Sequence, residues 1–286
     1  MSTPNESQIL KLKKVCNNVR RSILDLTFYG SSSHLGGSLS CVEILVALYF
    51  NVMRVDPQNP GWESRDRLVL SKGHAAPGLY AVMAERGYLP KEELKTFCKN
   101  GTRLQKHMDM HKLPGIDASS GSLGQGLSVA VGMAMADQMD KKDRYVYCVL
   151  GDGELQEGQV WEAVMAAGNL KLDHLVAIVD CNKMQVDGFT KSIMDIEPLA
   201  EKWQANRWDV QRIDGNDIAQ VVQAIQLAHE QKEKPQIIIA DTIKGKGIDF
   251  MEFQVDWHAK GLTEEEYKNA VAQVDASRQL LDRGEG

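Results

Sequence analysis

The chain has 286 residues, 43% of them hydrophobic, which is enough for a substantial core and unlike a disordered protein. A formal net charge of −6 offers no basic field for nucleic acid or an anionic membrane. Five cysteines, at positions 16, 41, 98, 148 and 181, include no CxxC pair and read as reduced thiols in a cytosol. The opening MSTPNESQILKLKK lacks the apolar core of a signal peptide. No apolar run approaches the ~20 residues that span a bilayer, so a soluble, cytoplasmic protein is expected.

In chain order, helical periodicity covers 6–29 and 40–52, followed by an apolar strand, RLVLS, at 67–71. Helical segments follow at 75–86, 91–99 and 124–139, then the strand YVYCVL at 145–150. A helix at 158–170 leads to the strand LVAIVD at 175–180, and a weaker strand, DVQRI, occupies 209–213. A helix at 216–231, the strand QIIIAD at 236–241 and a charged helix from about 263 to 281 complete the chain. Continuous rather than alternating hydrophobicity marks strands covered on both faces. The alternation predicts one domain over 1–286, an α/β fold with a doubly wound, mostly parallel sheet and helices on both faces. No repeat, low-complexity tract or linker interrupts it.

The stretch VYCVLGDGELQEGQVWEA (146–163) sets a lone acid, Asp152, between two glycines at the mouth of a buried strand. In open α/β sheets, ligands bind beyond the carboxyl ends of strands. Glycines admit a ligand close to the backbone, and the next helix offers unpaired N–H groups to an anion. An acid fits beside a phosphate if a cation lies between them, and Mg²⁺, a hard ion completed by phosphate oxygens, suits that position. A calcium EF-hand does not fit, since its twelfth position would be Ala163. Alone, GDG is more often a plain strand–turn–helix connection. Asn182, just past the next strand, lies about one βαβ unit (roughly 30 residues) further on. Alone, an asparagine before Asp187-Gly188 is more often a turn residue; the pair, with the Met184 carbonyl as a plausible third ligand, favours a site.

A GDG followed by such an asparagine resembles the diphosphate-binding signature of thiamine diphosphate enzymes. The chain further resembles transketolases in SSSHLGGSLS (31–40), LSKGHAAPGLY (70–80) and PGIDASSGSLGQGLSVAVGMA (114–134). The likeness continues in GDGELQEGQVWEA (151–163), VDCNKMQVDG (179–188) and TIKGKGIDFME (242–252), in the family's order over nearly the whole chain. Keto-acid dehydrogenases and pyruvate decarboxylase-like enzymes share the metal motif but not this histidine set. The resemblance implies Asp152, Asn182 and the Met184 carbonyl as Mg²⁺ ligands, and Gly153, His74 and Asn182 at the diphosphate. It places Gly121 and Leu123 beside the aminopyrimidine, and His34, His107 and His258 along the substrate channel. Glu157 and Glu162 match acids at the subunit interface that help link paired cofactor sites. Two departures are Met108, where the family carries proline, and Ala259, where it carries glycine.

His74 follows LSKG and opens a helical segment, a good anion site, although a hydrogen-bonded core histidine is an equal alternative on the residues alone. His107 and His111 are four apart but lack the HExxH pattern, and His111, His174 and His229 read as structural or surface residues. The small residues of 126–136 mark a closely packed helix.

Thiamine diphosphate supplies the carbanion and the electron sink, leaving the protein to position groups, move protons and exclude water. His34 and His258 are the expected proton-handling pair, with His107 orienting the donor's terminal hydroxyl. The family's second domain brings the glutamate that activates the pyrimidine ring and arginines for the substrate phosphate. Nothing after Gly247 resembles that domain. The expectation is therefore the amino-terminal subunit of a split transketolase, inactive alone and assembled as two of each chain with a carboxy-terminal, pyrimidine-binding subunit. Truncation of a longer chain is the competing explanation; the initial Met and polar carboxy-terminus favour a natural chain. Its substrates are expected to be sugar phosphates, or a branched or sulfonated ketose. A non-catalytic thiamine diphosphate-binding module stands as a further alternative, disfavoured by the four histidines. A Rossmann oxidoreductase is not supported, for want of GxGxxG after the first strand.

Overall fold

The computed structural model describes residues 4–30 and 33–285, which leaves Ser31 and Ser32 of the first histidine motif outside the described residues. Helix α1 (Glu6–Tyr29) opens with a capping box, in which the Asn5 side chain accepts from the Gln8 N–H and the Gln8 side chain from Asn5 N–H. Helices α2 (Leu35–Leu39) and α3 (Val42–Ala47) follow, the latter continuing as a π-helical turn, Leu48–Val52. After strand β1 (Arg67–Leu70) come α4 (Ala76–Arg86) and α5 (Gln125–Met139). Strand β2 (Val146–Gly151), helix α6 (Gly158–Leu170) and strand β3 (Leu175–Cys181) form the next unit. A short antiparallel hairpin, β4 (Met184–Gln185) and β5 (Gly188–Phe189), precedes α7 (Thr190–Ile193) and α8 (Leu199–Ala205). Strand β6 (Asp209–Asp214), α9 (Ile218–Glu230), β7 (Gln236–Asp241) and α10 (Glu264–Arg283) complete the order.

The five long strands are parallel, in the order β1-β2-β3-β7-β6. Side chains alternate across the sheet, so each strand feeds two cores. Tyr147, Val149, Val176, Ile178 and Ile238 pack with Ile23 of α1, Val42 of α3, Leu79 of α4 and Val221 of α9. Cys148, Leu150, Ala177, Val179 and Ile239 pack with Leu127 of α5, Val164 of α6 and Trp203 of α8. Steps from β1 to β2 to β3 run one way, and their helices α5 and α6 share a face. The step from β6 back to β7 reverses direction and puts α9 on the other face, as right-handed crossovers require. The burial on both faces accounts for the continuous apolar runs of β2, β3 and β7. Strand β6, at the sheet edge, is only half-buried, which is why its pattern in the sequence is weak.

Several boundaries differ from the sequence expectation. The segment 40–52 is broken at Ser40–Cys41 and begins with α2 at Leu35, because the chain turns there to bring His34 and Ser40 toward the sheet. The segment 91–99 forms only a 3-10 turn, Lys91–Thr96, resting on a single buried residue, Leu94. The hairpin and helices between 184 and 205 have no counterpart in the periodicity; each is too short to show one. The small residues of α5 serve close approach: a Cβ on Gly126 would stand 2.4 Å from the Ser71 side chain.

Candidate active site

The register aligns Gly151 with Asp180 and Cys181 with Asp241, so β2, β3 and β7 end at one level. Just past those ends stand Asp152, Asn182, Thr242 and Lys244; past β1 stand Lys72 and His74. A cavity of about 240 Å³ opens there, lined among others by His74, Leu123, Asp152, Asn182, Lys244 and His258. Bare backbone shapes its walls. A Cβ on Gly153 would lie 3.1 Å from the Gln185 Cβ, and one on Gly37 would lie 3.2 Å from His74 Nε2.

Asp152 is 2% exposed and accepts from the backbone N–H groups of Gly153 and Lys183. Burial, reinforced by the neighbouring Asp180 charge, pushes its carboxyl up to about 7. Asn182 accepts from the Met184 N–H at 3.2 Å through its Oδ1. The Met184 carbonyl faces the same space, where Lys244 Nζ donates to it at 3.4 Å. An aspartate, an amide oxygen and a carbonyl make a hard-cation donor set. Among the described residues no group of three or more His, Cys, Asp or Glu side chains forms a metal site, so the mixed oxygen set is the candidate.

Four histidines converge on one side of this cavity. The His34 ring centroid lies 5.6 Å from that of His74, 5.7 Å from His258 and 6.3 Å from His107, while His74 and His258 are 5.2 Å apart. His34 sits in the left-handed region at φ 72°, an uncommon conformation for a non-glycine residue that here caps α2 and aims the ring inward. Burial lowers His34 to about 4 and His258 to about 3, and the lysine charges nearby add to both shifts. His74 is lowered well below its ordinary value by burial and then by Lys72, and His107 is lowered by burial and Lys106. All four are neutral imidazoles near pH 7, able to donate at one nitrogen and accept at the other.

The other residues singled out from sequence divide between the cavity and places away from it. Gly121 lies against His107, its Cβ position 3.7 Å from the His107 ring, and Leu123 is an exposed rim residue of the cavity. Glu157 forms the N-cap position of α6 at the cavity rim, and Glu162 stands exposed one turn further along. They do not join the histidine cluster. His111 is exposed in a loop. His174 and His229 lie at the opposite end of the sheet, stacked on Tyr145 at 4.5 and 3.9 Å.

Sequence reasoning missed the site's buried charges. Lys72 and Lys244 are each 1% exposed. Lys244 donates to His258 Nδ1 at 2.9 Å, and burial lowers its ammonium to about 8. Glu154, buried, accepts from the Ser71 hydroxyl and from the N–H groups of Gly124 (2.9 Å) and Gly151 (3.0 Å), tying β1, β2 and the start of α5 together. A rule available from sequence was that a charge inside a strand must be paired. Asp180 in LVAIVDC is such a charge, and its partner Lys72 lies two residues past β1.

A glycine-walled cleft with buried lysines, neutral histidines and a hard-cation donor set fits a diphosphate held through a divalent ion. Residues 12–277 match the family model described as "Transketolase, thiamine diphosphate binding domain". The chain belongs to the transketolase family. It corresponds to the diphosphate-binding half of a transketolase, a ketol transferase. It is 50% identical over 268 residues to the 6-deoxy-6-sulfo-D-fructose transketolase subunit SqwG of Clostridium sp. (strain MSTE9), covering 94% of this chain and 98% of that one. An apulose-4-phosphate transketolase subunit of Phocaeicola vulgatus is 38% identical, covering 96% and 98%. Human transketolase is 37% identical over 97% of this chain but only 45% of its own length. Among solved structures, Campylobacter jejuni transketolase superposes with a TM-score of 0.87 at 32% identity, over 94% of this chain and 45% of that one. This chain thus spans under half the length of the transketolases of known structure that it matches. Among the described residues no helix is long and apolar enough to cross a membrane.

Proposed function

We propose that this chain is the amino-terminal subunit of a two-component transketolase, completed by a carboxy-terminal, pyrimidine-binding subunit in a complex of two chains of each kind. The observation that carries the reading is one cleft at the strand ends lined by Asp152, Asn182, His74 and His258, with His34 packed beside both histidines and His107 beside His34. Asp152, Asn182 and the Met184 carbonyl hold Mg²⁺, while His74, Lys244 and the Gly153 backbone face the diphosphate. Gly121 and Leu123 lie along the aminopyrimidine side. When bound, thiamine diphosphate supplies the nucleophilic carbon and the electron sink for cleaving a ketose between its second and third carbons. His34 and His258 hydrogen-bond the sugar hydroxyls and carry protons to and from them, a task suited to imidazoles that are uncharged at neutral pH. His107 orients the donor's terminal hydroxyl. Glu157 and Glu162, both exposed, meet the neighbouring subunit.

The donor is a ketose with an anionic end group, phosphate or sulfonate; both groups occur in the substrates that the names of similar subunits give. Selectivity between them depends largely on the second subunit. The test is a coupled ketol-transfer assay of the two subunits together, with 6-deoxy-6-sulfofructose, apulose 4-phosphate and fructose 6-phosphate as donors. Transfer to an aldose that requires both thiamine diphosphate and Mg²⁺ is expected from at least one of them. Cofactor binding with no transfer from any donor would instead favour a non-catalytic module.

A further inference from the structure

A buried ion pair lies beneath the metal-binding side of the cleft and makes no contact that the ketol chemistry itself would require. Asp180 is fully buried in β3, and Lys72, 1% exposed, reaches it from the end of β1. The carboxylate is saturated. Its Oδ2 accepts from Lys72 Nζ, from the Ser40 hydroxyl at 2.6 Å and from Asn182 Nδ2 at 3.2 Å, and its Oδ1 accepts from the Thr242 hydroxyl. Lys72 Nζ also donates to the Gly37 carbonyl at 2.9 Å. Four separate segments, from β1, the α2–α3 junction, β3 and β7, therefore meet at one carboxylate.

Two features point this cluster at the cleft. Asn182 is the first residue past β3, and its Nδ2 meets the Asp180 carboxylate two residues back at 3.2 Å. A carboxylate can only accept, so it fixes the Asn182 amide with its nitrogen inward and its oxygen toward the cleft. The Met184 N–H then meets that oxygen at 3.2 Å. Without the carboxylate the amide has no anchor on the nitrogen side and can rotate.

We propose that Asp180 and Lys72 form a positioning pair that sets the amide of Asn182 with its oxygen toward the bound Mg²⁺. This rests on Asn182 being a metal ligand. Lys72 Nζ holds the carboxylate from one side, while the Ser40 and Thr242 hydroxyls lock its rotamer. Partners of this kind, behind a ligand, are typically worth 10–100-fold in metal affinity.

The pair could be merely structural, and the experiment separates the two roles. Replacing a buried ion pair by apolar residues of similar volume is often neutral for stability. The double variant Lys72→Met/Asp180→Leu is therefore made in the full chain. Mg²⁺ is titrated at saturating thiamine diphosphate by calorimetry with the second subunit present, beside thermal unfolding of the cofactor-free chain. The expected result is a thermal midpoint close to wild type and Mg²⁺ binding weakened about 10–100-fold. Wild-type Mg²⁺ affinity in the double variant would overturn the proposal. Asn182→Ala is measured alongside: if it too binds as wild type, the metal-ligand reading fails. If it loses binding while the double variant keeps it, only the positioning role fails. Should the double variant not fold, Ser40→Ala/Thr242→Val keeps both charges but frees the carboxylate rotamer. Weakened Mg²⁺ binding at an unchanged thermal midpoint then supports the proposal, and unchanged binding overturns it.

Discussion

The Asp152 carboxyl is pushed up to about 7, first by burial and then by the Asp180 charge. Its ordinary value is 3.8, so the stability that its protonated form contributes is present below that value and lost as pH rises through about 7. A bound divalent cation reverses that balance. Asp152→Asn is therefore expected to raise the thermal midpoint of the cofactor-free chain at pH 8. The same change should abolish the midpoint increase expected of wild type with Mg²⁺ and thiamine diphosphate. A variant that loses stability at pH 8, or keeps the ligand-induced increase, would contradict the assignment. His258 divides differently. In the proposed function its contribution is proton handling, so His258→Ala should lower turnover by ~10²–10⁴-fold with little loss of cofactor affinity. Collapse of cofactor binding, with normal turnover per loaded site, would move His258 to the diphosphate side. Asp152, Asn182 and His74 are marked in the sequence by strand-end position as well as by the family's motifs, whereas His34, His107 and His258 are marked by the motifs alone. Lys72, Lys244 and Asp180 are not legible there. Their partners lie on other segments, as Asp180 does for Lys72, and sequence separation hides such pairings.

At the other end of the strands, the last turn of α9 presents His229 to Tyr145 and Tyr147, whose hydroxyl lies 2.7 Å from His229 Nε2. Burial lowers His229 to about 4; His174 and Lys232 act in the same direction and Asp66 opposes them. A folded-state value below the ordinary 6.5 means that the stability it contributes is present above 6.5 and lost as pH falls through about 4. His229→Gln keeps a polar group near the Tyr147 hydroxyl but does not titrate. It should flatten part of the rise in thermal midpoint between about pH 4 and 6.5, a slope that His34 and His258 share in the same sense. An unchanged slope would show that the stack tolerates the imidazolium. The same end of the fold shows what periodicity reads well. Strands β2, β3 and β7 match the sequence expectation within about one residue because burial on both faces enforces uniform apolar runs. The hairpin and helices between 184 and 205 leave no such trace, because elements of two to seven residues carry too few turns to show a period.

At the scale of the whole molecule, one rim of the cleft carries exposed side chains. Leu123 and Val186 stand exposed at its rim, and Val129 of α5 and Met165 of α6 are 40% and 56% exposed. Apolar side chains grouped on a surface mark an interaction face. Glu157 and Glu162 are exposed on α6 as well. A reacting sugar in such a half-site would remain open to water, which weakens every electrostatic contact the histidines make with it. The chain purified alone should therefore give no ketol transfer, and adding the carboxy-terminal subunit should restore it with a shift to a larger species on size-exclusion chromatography. Met165→Glu, placed on that face and away from the cleft, should leave the thermal midpoint of the lone chain unchanged. It should raise the concentration of second subunit needed for half-maximal activity, because a charge at an apolar contact must be desolvated there. If Met165→Glu assembles like wild type, the α5–α6 face is not the contact. Robust turnover by the lone chain, free of any co-purified subunit, would show that the cleft closes without help and would overturn the two-component reading itself.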